Sequence, residues 1–447
     1  MKFQFPKDFL FGAASSACQM ESGATAGGKG MTNYDYYFQQ DPQMLHNGDP
    51  DKSADFYYLY RKDILDMKEL GLKSFRFSIS WSRIFPNGPD EVCQAGLDYY
   101  SDMIDALVEA GIKPFFDLYH CDIPYWVVSQ GGLMHPDFID WFTNYAKVCF
   151  EALGDRVAYW STVNEPNINC MAAYRDGRRL PYVSGMDNAI RASHTMLLAH
   201  YKTVRLYKSM NLPGKIGAVI HIVPFYGLTN DPKDQEAADR RFASYCGWWT
   251  DTMLKGCYPK LMLEESYITD NMPANFPKEL AENFEPMDFL GMNIYGPGLV
   301  CYDENATMRF KAVVNSKIPR DDYGFGCYPQ GLYDAVMYIH ETYPGVPMFI
   351  TENGICKNKW GNLEEERKDE YRIDYMREHL RSAARAIRAG APLKGYYPWA
   401  VMDTNELISG GYTFIFGLTQ VDYETKERYR RDSWYYYQKV IAKGEVD

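Results

Sequence analysis

Hydrophobic and β-branched residues cluster in short runs that recur along the whole chain, each followed by a longer stretch with apolar positions at helical spacing. The runs fall at residues 10–14, 75–80, 114–119, 160–163, 216–223, 289–295, 348–351 and 395–401, which predicts eight strands. Between them lie segments such as LYRKDILDMKELG, where Ile64, Leu65, Met67 and Leu70 fall near one helical face and Gly71 supplies the stop. LDYYSDMIDALVEAG repeats that design and ends in Gly111. FIDWFTNYAKVCFEALG, AIRASHTMLLAHYKTVRLYKSM and DEYRIDYMREHLRSAARAIRAG continue it. Eight strands alternating with helices predict an α/β chain folded as one (β/α)8 barrel domain over residues 1–447. Residues 295–330, rich in Gly, Pro and Asp, are expected to be a loop excursion; a division into two domains is the alternative.

Composition narrows the class of partner. Of 447 residues, 46% are hydrophobic and 16% aromatic, including 37 Tyr and 9 Trp, enough for a large core and for flat stacking surfaces. A net charge of −12 without a Lys/Arg-rich run argues against nucleic acid and anionic membranes as partners. Ten Cys are scattered singly, with no C-x-x-C pair and no Cys/His cluster at zinc spacing, the pattern of reduced thiols. The start, MKFQFPKDFLFGAASSACQ, has too short an apolar run for a secretion signal, and no stretch is long enough for a membrane helix. A soluble cytoplasmic protein is the expectation; the oligomeric state is not legible.

Candidate chemistry sits at the strand ends. AYWSTVNEPN carries an apolar run into Asn164, Glu165 and Pro166, and MFITENG carries another into Glu352. A lone Glu at a strand tip is usually a solvated surface group. At the ends of strands four and seven of one barrel, however, two carboxylates face one mouth. Such a pair, one acting as acid/base and one as nucleophile, is what glycoside hydrolysis requires. Other strand ends add amide, imidazole and indole groups suited to a sugar: Gln19 after strand one, Arg76 on strand two, His120 after strand three, Asn293 and Tyr295 on strand six, Trp399 on strand eight and Glu406 just beyond.

With these segments in view, the chain resembles glycoside hydrolase family 1, the β-glucosidase-like retaining enzymes, over nearly its whole length. The matching stretches are FLFGAASSACQMES, MKELGLKSFRFSISWSRIFPNG, STVNEPN, FLGMNIYG, ITENG and GYYPWAVMDTNE…FGLTQVDYET. The resemblance implies that Glu165 is the acid/base and Glu352 the nucleophile. It places Gln19, His120, Asn164, Asn293, Trp399 and Glu406 on sugar-contacting positions, and Arg76 and Tyr295 beside the nucleophile. It implies a small β-glycoside as substrate and no metal or organic cofactor. Arg76 is expected to keep Glu352 ionised, and ionised Glu352 to raise the pKa of Glu165.

Two positions depart from the family pattern. Cys121 follows His120, and Leu407 follows Glu406, where the family usually has Trp. The loop LISGGYTFIFG reads one residue longer than usual. Two lost indole N–H groups alter the glycone pocket while leaving the carboxylate pair intact. A 6-phospho-β-glycosidase is the alternative, but Phe414, Ile415 and Phe416 occupy the run that should supply phosphate donors. A carbohydrate-binding protein without turnover is the reading from a different class; it fits poorly with two intact Glu.

Overall fold

The computed structural model describes residues 2–41, 48–314, 316–358, 361–407 and 411–447. Eight parallel strands close on one another: β1 (Leu10–Ala14), β2 (Ser74–Ser78), β3 (Lys113–Asp117), β4 (Tyr159–Asn164), β5 (Lys215–His221), β6 (Phe289–Asn293), β7 (Met348–Asn353) and β8 (Leu393–Pro398). Each pairs with its neighbours in sequence, and β8 pairs with β1 to complete the ring. All eight expected runs are strands, with ends differing by a few residues. β2, β3, β5, β6 and β8 stop short of the expected C-terminal limits. There the chains leave the ladder for the loops of the barrel mouth, and in β8 the last residue, Pro398, has no N–H to extend the pairing.

Helices wrap the outside. α1 (Phe56–Leu70) follows β1 and ends at Gly71, whose φ of 90° places it in the left-handed region where glycine is unstrained. Ile64, Met67 and Leu70 of α1 are buried, but Leu65 is exposed, because the buried stripe of α1 is narrower than the sequence pattern suggests. The other expected helices are Gln94–Glu109, Phe138–Leu153, Met186–Ser209 and Glu370–Arg388. The 295–330 stretch is not irregular throughout. Gly298–Tyr302 and Phe310–Val313 pair with each other, and Phe225–Gly227 after β5 joins them in a small three-stranded sheet.

Strand alternation assigns each side chain its layer. On β2, Phe75 and Phe77 pack outward against Phe56 of α1 at ring distances of 6.1 and 5.1 Å. Between them, Arg76 points into the barrel. Below it, Phe115, Tyr159, Phe289, Phe349 and Tyr397 fill the interior with edge-to-face and tilted contacts at 5.1–6.1 Å. Each such pair adds about 0.5–1.5 kcal/mol to the burial itself. Gly12 makes room for this plug, since a Cβ there would lie 2.3 Å from the Tyr397 ring. The apolar layer closes the barrel from below, so polar side chains one step further along the strands look only toward the mouth.

Candidate active site

Register irregularities mark the tips of the two carboxylate strands. The pairing of β4 with β5 shifts between Ser161 and Asn164, and that of β7 with both neighbours shifts after Ile350. Such shifts re-aim side chains without ending a strand. On β7 the shift lets consecutive residues work together at the mouth: Thr351 donates to Asn293 Oδ1 at 2.8 Å while Glu352 reaches Arg76. Glu165 sits at φ 47°, ψ 49°, left-handed for a residue without glycine's freedom, and Pro166 begins a short helix directly after it. A residue before proline is pushed out of the ordinary helical region, and strain of this kind persists where the surroundings hold it.

Both carboxylates line a cavity of about 400 Å³ with Gln19, His120, Asn164, Tyr295, Trp399 and Glu406, a volume within the roughly 300–1,000 Å³ of small-ligand pockets. Arg76 lies beneath it, fully buried. Its Nη1 donates to Glu352 Oε1 at 2.7 Å, its Nη2 contacts Asp117 Oδ2 at 2.6 Å, and Nη2 also donates to Asn164 Oδ1 at 2.7 Å. Tyr295 donates its hydroxyl to Glu352 Oε2 at 2.7 Å. Asn293 stands at the end of β6. It is wholly buried and is not among the cavity-lining residues, and its Nδ2 donates to Glu165 Oε1 at 2.9 Å and to Asn164 Oδ1 at 3.0 Å.

The two carboxyls are therefore dressed differently. Burial raises the pKa of both above the usual range. At Glu352 the adjacent guanidinium opposes that rise directly; at Glu165 the nearest help is one neutral amide. The charge of Glu165 is also among the influences that raise Glu352. Burial, rather than the charge of Glu352, is the leading cause of the rise at Glu165, which corrects the emphasis of the sequence reading. Burial works against a charged His120, but its hydrogen bond to Asp117, with help from Cys121 and Glu352, carries its pKa up to about 9. The ring stacks on Trp399 at 5.7 Å. Burial also pushes Glu406 up to about 7, although Thr404 and Trp399 donate to it at 2.8 and 3.4 Å. Gln19 Oε1 accepts from Ser16, directing the amide NH2 away from that bond.

Several cavity residues were not anticipated. His221 is the strand-end residue of β5, and the same rule that found its neighbours applies to it; burial lowers its pKa to about 4, and Nδ1 meets the Tyr245 hydroxyl at 2.8 Å. Tyr34 comes from the helix Asn33–Gln40 and Asn169 from the short helix Pro166–Cys170, while Arg179, Tyr323 and Phe325 come from loops, where no periodicity points to a site. Leu407 and Cys121 do line the cavity, and they pack with Tyr34, Phe38, Tyr37 and Cys18 in an apolar cluster. The extra loop residue expected near here involves positions 408–410, which lie outside the described residues. Phe416 lines the cavity and Phe414 stands behind it against Tyr323 at 5.0 Å.

The fold also assembles what sequence spacing hid: ligand atoms of Cys18, Cys121 and Asp122 lie within 4.8 Å of one another. Burial raises the Cys18 thiol well above its ordinary pKa, and Asp122 already accepts from Ser80 at 2.9 Å. A neutral thiol is a poor metal ligand. Among the described residues no helix is long and apolar enough to cross a membrane.

The sequence model of glycosyl hydrolase family 1 matches residues 1–446. The chain is 36% identical to beta-glucosidase A of Acetivibrio thermocellus over 443 residues, covering 98% of each chain. It is 35% identical to beta-glucosidase A of Thermotoga maritima, covering 99% of each. The solved family 1 β-glucosidase of Thermotoga maritima superposes with a TM-score of 0.94 at 34% identity over 99% of both chains, and its complex with isofagomine lactam with a TM-score of 0.93 over the whole of both. A closed barrel with two unlike carboxylates at its mouth and relatives matched from end to end lead to one conclusion: the chain belongs to glycosyl hydrolase family 1 and is an O-glycosyl hydrolase of the retaining β-glycosidase kind.

Proposed function

We propose that this chain, working as a single barrel domain in the cytoplasm, hydrolyses β-linked glucosides or closely related β-glycosides, with Glu352 as nucleophile and Glu165 as acid/base. The observation that carries this reading is the unlike dressing of the two carboxyls: Arg76 and Tyr295 both donate to Glu352, while one amide donates to Glu165. Ionised Glu352 attacks C1 of the sugar from the face opposite the leaving oxygen. As that bond breaks, Glu165 gives its proton to the oxygen, and the glycosyl group stays on Glu352 as an ester. Water then attacks C1, Glu165 takes the water's proton, and Glu352 leaves. Two displacements return the β-configuration.

The surrounding residues follow from the same chemistry. Asn293 is a positioning residue for Glu165. Asn164 turns its carbonyl to Arg76 and Asn293, which orients the Nδ2 donor toward a sugar 2-hydroxyl, a contact that strengthens in the transition state. Gln19, His120 and Glu406 supply the remaining polar contacts, and Trp399 a ring face. Leu407 has no donor for the glycone edge and Cys121 only a weak one. Tyr34 stands beside both, with no hydrogen bond from its hydroxyl among the described residues, and is the group in position to compensate. The phospho-sugar alternative loses support from Phe416, which offers a 6-phosphate no donor. The test is proton NMR of early product from a nitrophenyl β-glucoside. β-Glucose appearing first is expected; an initial α-anomer would overturn the mechanism.

A further inference from the structure

The loop after β4 carries three arginines in the run RDGRR, and the fold treats them unequally. Arg175 and Arg178 both pair with Asp176, each at 2.7 Å. Arg179 pairs with no carboxylate among the described residues. Its one hydrogen bond runs from Nη1 to Asn169 Oδ1 at 2.9 Å, and the side chain lines the cavity that holds Glu165 and Glu352. The groups that act on it most strongly include the phenols of Tyr34, Tyr119 and Tyr323 and the thiol of Cys121, none of them a carboxylate. The other two cations of the site are already matched: Arg76 by Asp117 and Glu352, His120 by Asp117. A guanidinium that cannot shed its charge is costly to desolvate without an anion, so this one is poised for a negative group brought in by the ligand.

Position says which part of the ligand that group belongs to. Asn169, which holds Arg179, lies one helical turn beyond Glu165 and bonds back to it through Asn169 N to Glu165 O at 3.1 Å. The Asn169 amide also donates to the backbone oxygens of His120 and Asn164. Arg179 is thus anchored on the short helix that Glu165 opens, and its charge bears on Glu165 while it is absent from the leading influences on Glu352. Resting on the proposed assignment of Glu165 as acid/base, we infer that Arg179, held by Asn169, forms an aglycone-side subsite for a carboxylate. The preferred substrates are then β-glycosides whose leaving group is acidic, such as a hydroxybenzoate or the acidic sugar of a disaccharide. The planar fork matches a carboxylate in two parallel bonds.

The experiment compares 4-carboxyphenyl and 4-carbamoylphenyl β-glucoside, which share a shape and differ in charge. The readout is the ratio of their kcat/KM values in wild type and in Arg179→Met, with Arg179→Gln as a second variant should the first fold poorly. The ratio cancels both the difference in leaving-group acidity and any general loss of activity. A fall of about 10-fold in the ratio in either variant is expected, the scale of a lost charge-assisted pair. An unchanged ratio would overturn the subsite while leaving the glycosidase reading intact. Turnover of neither glucoside by the wild type would bring down both.

Discussion

The floor of the cavity and its rim are built on opposite principles. On the floor, Arg76, Asp117, Asn164, Asn293, Tyr295 and Glu352 come from strands or their immediate ends, and each polar atom described above meets another at 2.6–3.0 Å. On the rim, Tyr34 comes from the helix Asn33–Gln40 and Cys121, Arg179 and Leu407 from loops; three of the four form an apolar cluster and Arg179 is a cation without a carboxylate. The floor holds the reacting groups in one geometry and tolerates no exchange. The rim can change residues without disturbing that geometry, so specificity is free to diverge there while the reaction is kept.

The sharpest way to break the floor is Glu352→Gly. Loss of the covalent step should cut turnover by on the order of 10⁴-fold or more. Azide should restore part of it with a dinitrophenyl β-glucoside and yield the α-glycosyl azide; near-native activity without azide would end the assignment. Glu165→Gln should lose about 10²–10⁴-fold on cellobiose-like substrates, yet far less glycosylation rate on dinitrophenyl glucosides, whose leaving group needs no proton. Equal losses on both substrate types, measured by pre-steady-state kinetics, would contradict general-acid assistance.

Between floor and rim stands Glu406, whose carboxyl is raised from the ordinary 4.5 to about 7 by burial. A raised carboxyl contributes stability that is full below about pH 4.5 and is lost as pH climbs through 7. The loss is on the order of 3 kcal/mol. Glu406→Gln should therefore gain stability relative to wild type between pH 4 and 8, read as a Tm difference of a few degrees that widens with pH. A constant difference would show that Glu406 titrates normally. The smallest expected effect is at the rim. Leu407→Trp should widen the kcat/KM gap between a β-glucoside and its 3-deoxy analogue by about 10-fold, one hydrogen bond's worth. No widening, together with a narrowed gap in Tyr34→Phe, would mean that Tyr34 already serves that hydroxyl.

The sequence by itself determined the eight strands of the barrel, its closed α/β topology and the residues at most strand tips. Periodicity is local, and a parallel strand with both faces covered leaves an apolar run that can be read directly: residues 10–14 were placed without error, and 348–351 led straight to Glu352. Motif resemblance supplied most of the rest of the floor, including Arg76, which strand alternation alone would also turn inward, but not Asp117, whose pairing with Arg76 and His120 only the fold shows. Tertiary structure decided what depends on contacts between distant segments. It showed Asn293 hydrogen-bonded to both Glu165 and Asn164, contacts between separate strands that no local pattern reveals. It brought Cys18 against Cys121 across 103 positions, with sulfurs 3.0 Å apart. It also gave Asp176 to Arg175 and Arg178 and left Arg179 facing the cavity, a division that three equal letters in one short run cannot express. Which residues form a strand is settled within a few neighbours along the chain; which charges find partners is settled by packing, where distance in space and not in sequence sets the energy.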